Sequence, residues 1–126
     1  MPSADPLAEF RADWLPHVTD EGLNRLVELL QKGSPLLIHG AFTRAVPMGC
    51  LASHVAWNHP HTCRLSHEAG VIWLTKIAGL NPATSAVIQA WDENGLGDFE
   101  LRSGLLTACL EDRERRAVEE LEHAAC

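Results

Sequence analysis

A chain of 126 residues with 46% hydrophobic side chains is long enough to bury a core as one domain spanning residues 1–126, with no need of disulfides or a metal to fold. Its 21% charged content opposes wholesale disorder, and a net charge of -7 with only ten Lys and Arg opposes any role that rests on neutralising phosphates. No apolar run approaches the roughly 20 residues of a membrane-spanning helix.

The opening stretch MPSADPLAEFRADWL places Asp5, Glu9 and Asp13 where a secretory signal would be basic and then apolar, so export is not expected and the cytoplasm is. Cys50, Cys63, Cys109 and Cys126 are then expected as thiols, not as a disulfide framework.

The first predicted helix opens after Ser3 or Asp5, with Pro6 early in it, and carries Leu7, Phe10 and Trp14 on one stripe as far as Leu15, where Pro16 stops it. The second takes Thr19 or Asp20 as cap, buries Leu23, Leu26, Val27 and Leu30, and ends at Lys32 and Gly33. The segment SPLLIHGAFTRAVPMG reads as mostly loop, with a minor β-hairpin around residues 36 to 46. From Cys50 the pattern is helical to about Trp57, and Pro60 breaks it.

A helix over about 67 to 78 follows, capped by Ser66, with Ala69, Ile72, Trp73 and Ile77 inward and Gly79 at its end. Asn81 as N-cap and Pro82 at the first position open the next, whose inner face is Ala83, Val87, Ile88 and Trp91. Asp98 caps the last and longest helix, in which Leu101, Leu105, Cys109, Leu110, Val118 and Leu121 recur through to about residue 123. Glu111 with Arg115, Asp112 with Arg116, Arg115 with Glu119 and Arg116 with Glu120 stand four apart along it. At 1.5 Å per residue it is about 39 Å long, against a radius of gyration of about 14 Å for a domain of this size, so its end is expected to project toward another subunit. The fold expected is an all-α irregular bundle of five or six helices. Trp14, Trp57, Trp73 and Trp91 are assigned to its core, with a pocket walled by the last three as the alternative.

The stretch GCLASHVAWNHPHTC, Gly49 to Cys63, concentrates two of the four cysteines and three of the seven histidines. Cys50 and His54 stand four apart, so on a helix they share a face; His59, His61 and Cys63 alternate, so an extended segment would point them one way. Thiolate sulfur and imidazole nitrogen are zinc ligands, and Cys50, His54, His59, His61 and Cys63 are the candidate metal set, with zinc as the cofactor it would hold. With an open coordination position the same set would serve a small metal-dependent hydrolase. No Cys-x-x-Cys occurs, and the ordinary expectation for these residues is packing for Cys50 and hydrogen bonding for His54. Glu120 with His123, and Cys63 with His67, are lone pairs without the further groups that a di-iron centre or a nucleophile requires.

The run Ala78, Gly79, Leu80, Asn81, Pro82, Ala83 and Thr84, with Ile88 beyond it, resembles the helix-turn-helix of lac-type repressors over residues 74–91. The resemblance implies that Thr84, Ser85 and Gln89 touch base edges while Lys76, Arg64 and Arg102 contact phosphates. Thr75 and Ser85 depart from the small apolar and buried aliphatic residues of that motif, and no Arg or Lys lies between Pro82 and Trp91. Two helices packed across a glycine turn are the simpler expectation. Together these readings point to a non-enzymatic cytoplasmic helical module acting through protein contacts, with a protein partner or a homodimer formed through the C-terminal helix. Nucleic acid and membrane are not expected partners.

Overall fold

The computed structural model describes residues 5–125, with side chains as far as Glu122. Six α-helices form an all-α irregular bundle: α1 (Pro6–Glu9), α2 (Asp20–Lys32), α3 (Leu51–Trp57), α4 (Ala69–Ile72), α5 (Ala86–Asn94) and α6 (Phe99–Ala125). No helix among them is long and apolar enough to cross a membrane.

Asp5 caps α1 by accepting from the Leu7 amide, and Pro6 sits where its missing N–H costs nothing. The helix does not run on regularly to Leu15. It widens into a π-helical turn over Phe10–Trp14 and then tightens into a 3-10 turn over Leu15–His17. The π turn seats Phe10 and Trp14 fully in the core, with the Trp14 and Trp73 rings 5.3 Å apart. α2 follows its sequence pattern closely. Thr19 accepts from the Gly22 amide at its start, and Gly33, at φ 62°, closes it in the left-handed conformation that glycine adopts without strain. Leu23, Leu26, Val27, Leu29 and Leu30 are buried along its inner face.

The expected hairpin around residues 36 to 46 is absent, and no strand occurs among the described residues. Two isolated bridges converge instead on Gly49, one from Leu37 and one from Thr43. The loop thereby holds the entry to α3 from both sides: Gly49 donates to Leu36 O, Ile38 to Gly49 O, and Cys50 to Phe42 O. α3 is the central helix, with Leu51 through Ala56 all buried. α4 crosses it at Gly70, where a side chain would start 2.8 Å from Ser53 Oγ and 2.9 Å from its amide nitrogen, so the approach requires glycine.

Ser66 is not the cap of α4. Its carbonyl accepts from Trp57 Nε1, and the helix opens at Ala69, continuing as a second π-helical turn over Trp73–Ile77. α5 likewise opens later than its sequence predicts. Asn81 Oδ1 accepts from the Ala83 amide and folds Pro82–Thr84 into a turn, and Ser85 becomes the cap by accepting from the Ile88 amide. The remaining α5 amides are taken by Glu9, a residue 76 to 78 positions away. Its carboxylate accepts from Ser85 Oγ at 2.6 Å, Ala86 N at 2.9 Å and Val87 N at 3.1 Å, and from Trp14 Nε1 at 3.2 Å.

Asp98 caps α6 as expected, accepting from the Leu101 amide. Leu101, Leu105, Ala108 and Cys109 enter the core. Two arginines lock the helix against α2 and its entry: Arg102 donates to Leu30 O and Gln31 O, closing the C-terminal end of α2, and Arg116 donates to Leu15 O and Val18 O while pairing with Asp20 and Asp112. Of the pairs expected at four-residue spacing, Asp112 with Arg116 and Arg115 with Glu119 are formed. Glu111 pairs instead with Arg11 of the N-terminal π turn, and Arg115 also takes Asp112, three residues before it on the same helix. Beyond Arg116 the helix leaves the body, and residues 117–122 are exposed.

Glu9 replaced by Ala leaves four donors without their acceptor, so the expected cost is about 2–3 kcal/mol, read as a lower urea midpoint at unchanged slope. Glu9→Gln keeps one accepting oxygen and is expected to lose less; equal stability of Glu9→Ala and the parent chain would show the carboxylate to be idle.

Candidate functional site

The Cys/His segment begins at the N-terminal end of α3. Cys50 is the N-cap residue with its side chain buried, and its sulfur lies 4.0 Å from Ser53 Oγ. One turn on, His54 is also buried: Nε2–H donates to Leu36 O at 2.8 Å, and the ring meets Trp57 edge-on with centroids 5.1 Å apart. Both groups answer to the core. Burial pushes the Cys50 thiol up to about 11 and pushes the His54 imidazole below its ordinary 6.5, each change favouring the neutral form.

His59, His61 and Cys63 lie on the other side of the break, and that segment is a turn where an extended run was expected. The His59 carbonyl accepts from both Thr62 N and Cys63 N, His59 Nδ1 accepts from His61 N, and Thr62 drives its hydroxyl inward to Ala56 O at 2.7 Å. Local hydrogen bonds to side chains thus outcompete the extended backbone, and the period-two alignment is lost. The His59 and His61 rings stay near each other, 5.4 Å between centroids, while the exposed Cys63 points its sulfur at Pro60 O. The five candidates therefore divide, two in the core and three at the surface. No group of three or more His, Cys, Asp or Glu among the described residues is arranged to hold a metal ion. Cys63 and His67 occupy turn backbone, so their four-residue spacing does not place them on one helical face, and the His123 partner of Glu120 falls outside the described side chains.

Residues 74–91 also depart from the geometry of a DNA-reading turn. The first element is π-helical at Trp73–Ile77, where Thr75 Oγ1 donates back to Val71 O. Ser85, expected at base edges, is buried against Glu9, and Gln89 donates to Ala83 O. Arg102, expected at phosphate, caps α2. The amide-lined mouth of α5, where an anion would dock, is filled by the Glu9 carboxylate.

Trp73 and Trp91 are core residues, the latter donating to Ile38 O, and Trp57 sits at the core edge, so the three do not wall an open pocket together. What the structure does leave open is the outer face of α6. Val118 and Leu121, expected inward with Leu101, are 48% and 71% exposed, and Phe99 at the start of the helix is 72% exposed. Leu106 and Leu110 are half-buried on the same side. The signal was present in the sequence: at 100° per residue, Val118 and Leu121 stand far from the Leu101 and Leu105 stripe, and a wheel drawn for the whole helix separates the two faces.

Family models, curated proteins and solved structures were compared with the chain, and none matches it.

Because the folded His54 ring resists a proton that the unfolded ring accepts near pH 6.5, the unfolded state binds more protons below that pH. Its share of stability is therefore complete above about pH 6.5 and declines on acidification. Urea unfolding followed from about pH 7.5 to about pH 5.5 is expected to show this decline, and His54→Gln to flatten it; an equal slope in both would refute the assignment. Burial lowers His59 as well, so part of the slope is expected to persist. Iodoacetamide at mildly alkaline pH is expected to label Cys63 in the folded chain while sparing Cys50 and Cys109, whose thiols are pushed up to about 11 and about 12, until denaturant is added. Peptide mapping reads the result.

Proposed function

We propose that this chain is a small non-enzymatic helical module that acts through protein contacts, with the outer face of α6 as its contact surface. The observation that supports the reading is the distribution of exposed apolar bulk. Four large hydrophobic residues are exposed among the described residues, and three of them, Phe99, Val118 and Leu121, belong to α6; Val46 is the fourth. Isolated exposed residues need no explanation, but here Phe99 at one end of the helix and Val118 and Leu121 at the other are linked by the half-buried Leu106 and Leu110, and an apolar helix face of this kind is the form that helix-docking surfaces take. Chemistry has less support. Cys50 and Cys109 are buried with thiols held protonated, and His59 and His61 adjoin each other without a third His, Cys, Asp or Glu arranged with them among the described residues to hold a metal. The same splayed geometry speaks against a zinc-dependent hydrolase. A cytoplasmic setting belongs to the proposal and is supported by Cys50, Cys63 and Cys109 standing as free thiols.

A photo-activated cross-linking residue placed in living cells at Ser103, Thr107 or Glu114, on the outer side of α6, is expected to yield discrete adducts of higher mass. The same residue at Asp13 or Lys76, exposed elsewhere, is expected to yield none. Adducts at all positions alike, or at none, would remove α6 as the contact surface.

A further inference from the structure

The outer face of α6 is a seam with a defined direction. At 100° per residue, Phe99, Ser103, Leu106, Leu110, Ala117 and Leu121 fall within an arc of about 60°, on the side away from Leu101, Leu105, Ala108 and Cys109. Its apolar positions, Phe99, Leu106, Leu110, Ala117 and Leu121, alternate at seven- and four-residue spacing over 22 residues, about 33 Å of helix, so they stay on one side along which a second helix can pack.

The charges flanking the seam decide what that second helix is. Each arginine of α6 is engaged within the chain: Arg102 on Leu30 O and Gln31 O, Arg113 on Asn24, Arg115 on Asp112 and Glu119, Arg116 on Leu15 O, Val18 O, Asp20 and Asp112. Asp112 and Glu119 are consumed in those pairs, and Glu111 in a pair with Arg11. Glu100, Glu114, Glu120 and Glu122 form no ion pair among the described residues, and all four are exposed. A partner on this seam therefore meets apolar side chains bordered by the unpaired Glu114 on one side and Glu120 on the other, with Arg113, held on Asn24, as the cation beside them. A second copy would bring the same carboxylates against them, and like charges across an interface oppose association.

Resting on the protein-contact reading, we infer that the seam receives an amphipathic helix of another protein, with an apolar stripe of three- and four-residue spacing and Lys or Arg on its flanks. Such a helix buries Phe99, Leu106, Leu110 and Leu121 and supplies the charge that α6 lacks.

The test is a titration of the full chain with two designed helical peptides that share a leucine stripe, one flanked by lysine and one by glutamate, read by fluorescence anisotropy of the labelled peptide. The lysine peptide is expected to bind at least about tenfold more tightly, with an advantage that shrinks as salt is raised. Phe99→Ser with Leu121→Ser, both at exposed positions, is expected to weaken it by about tenfold or more without altering the far-ultraviolet circular dichroism. Glu114→Lys with Glu120→Lys, the two carboxylates beside the seam, is expected to weaken it likewise. Glu68→Lys with Glu93→Lys, the same change of net charge away from α6, is expected to leave it unchanged.

Equal affinity for the two peptides, or equal losses from the two charge-reversal pairs, would overturn the inference. So would sedimentation showing a dimer that Phe99→Ser with Leu121→Ser dissociates, but that result would leave α6 as a contact surface, with a second copy as its occupant. The cross-linking experiment above fails separately, when no contact of any kind forms there.

Discussion

The Glu9 carboxylate holds together parts of the chain that local structure alone would leave apart. Four donors converge on it, from the cap and first turn of α5 and from the indole of Trp14, and they join the N-terminal helix to an element more than 75 residues later. The carboxylate also does for α5 what an anion does at any helix start, answering amides that have no partner within the helix and lying at the positive end of the dipole. Because Ser85 donates to Glu9 while accepting from Ile88, the local cap and the distant one form a single network. Trp14, anchored at one end by this bond, presents its rings to Trp73 and Phe10 at the centre of the core.

Two arginines repeat the principle at the other side of the molecule. Arg102 meets the exposed carbonyls at the end of α2, and Arg116 meets those of the turn that leads into it. Both are cations placed on the negative ends of short backbone segments, and both come from α6, so the longest helix acts as a splint for the first third of the chain. The planar guanidinium suits the task, since one side chain reaches two carbonyls and two carboxylates at once at Arg116. These internal obligations engage the arginines of α6 and leave Glu114 and Glu120, beside its outer face, without a cation partner. The stabilising contacts and the character of the free surface are two sides of one allocation of charge.

The Cys/His segment shows how a dense run of ligand-type residues is dispersed by folding. The spacing of Cys50 and His54 does place both on α3, as their four-residue separation predicts. However, α3 is the central helix, enclosed by α2, α4 and the loop that closes on Gly49, and the face they share is a core face. His59, His61 and Cys63 are turned outward by the hydroxyl of Thr62, which needs a carbonyl partner once it is buried and finds it at Ala56. Thr62 stood in the middle of the candidate ligands without being read as the residue that sets their direction.

The sequence by itself determined the helical class, the whole of α2 with its Thr19 and Gly33 ends, the extent of α3, and the Asp98 start of α6, because each rests on residues within a few positions of one another whose preferences are local. Apolar periodicity likewise identified Leu23, Leu26, Leu101 and Leu105 as core. Only the tertiary structure decided where α5 begins, since Ser85 prevails over Asn81 through a carboxylate that approaches from α1. It also decided that the two π-helical turns open under Trp14 and Trp73, and that Glu111 pairs with Arg11 in place of Arg115. The direction of Val118 and Leu121 belonged to the same class: helical spacing tells which residues share a stripe, but which stripe meets the body, and where the body ends, depends on what packs against the helix from elsewhere in the chain.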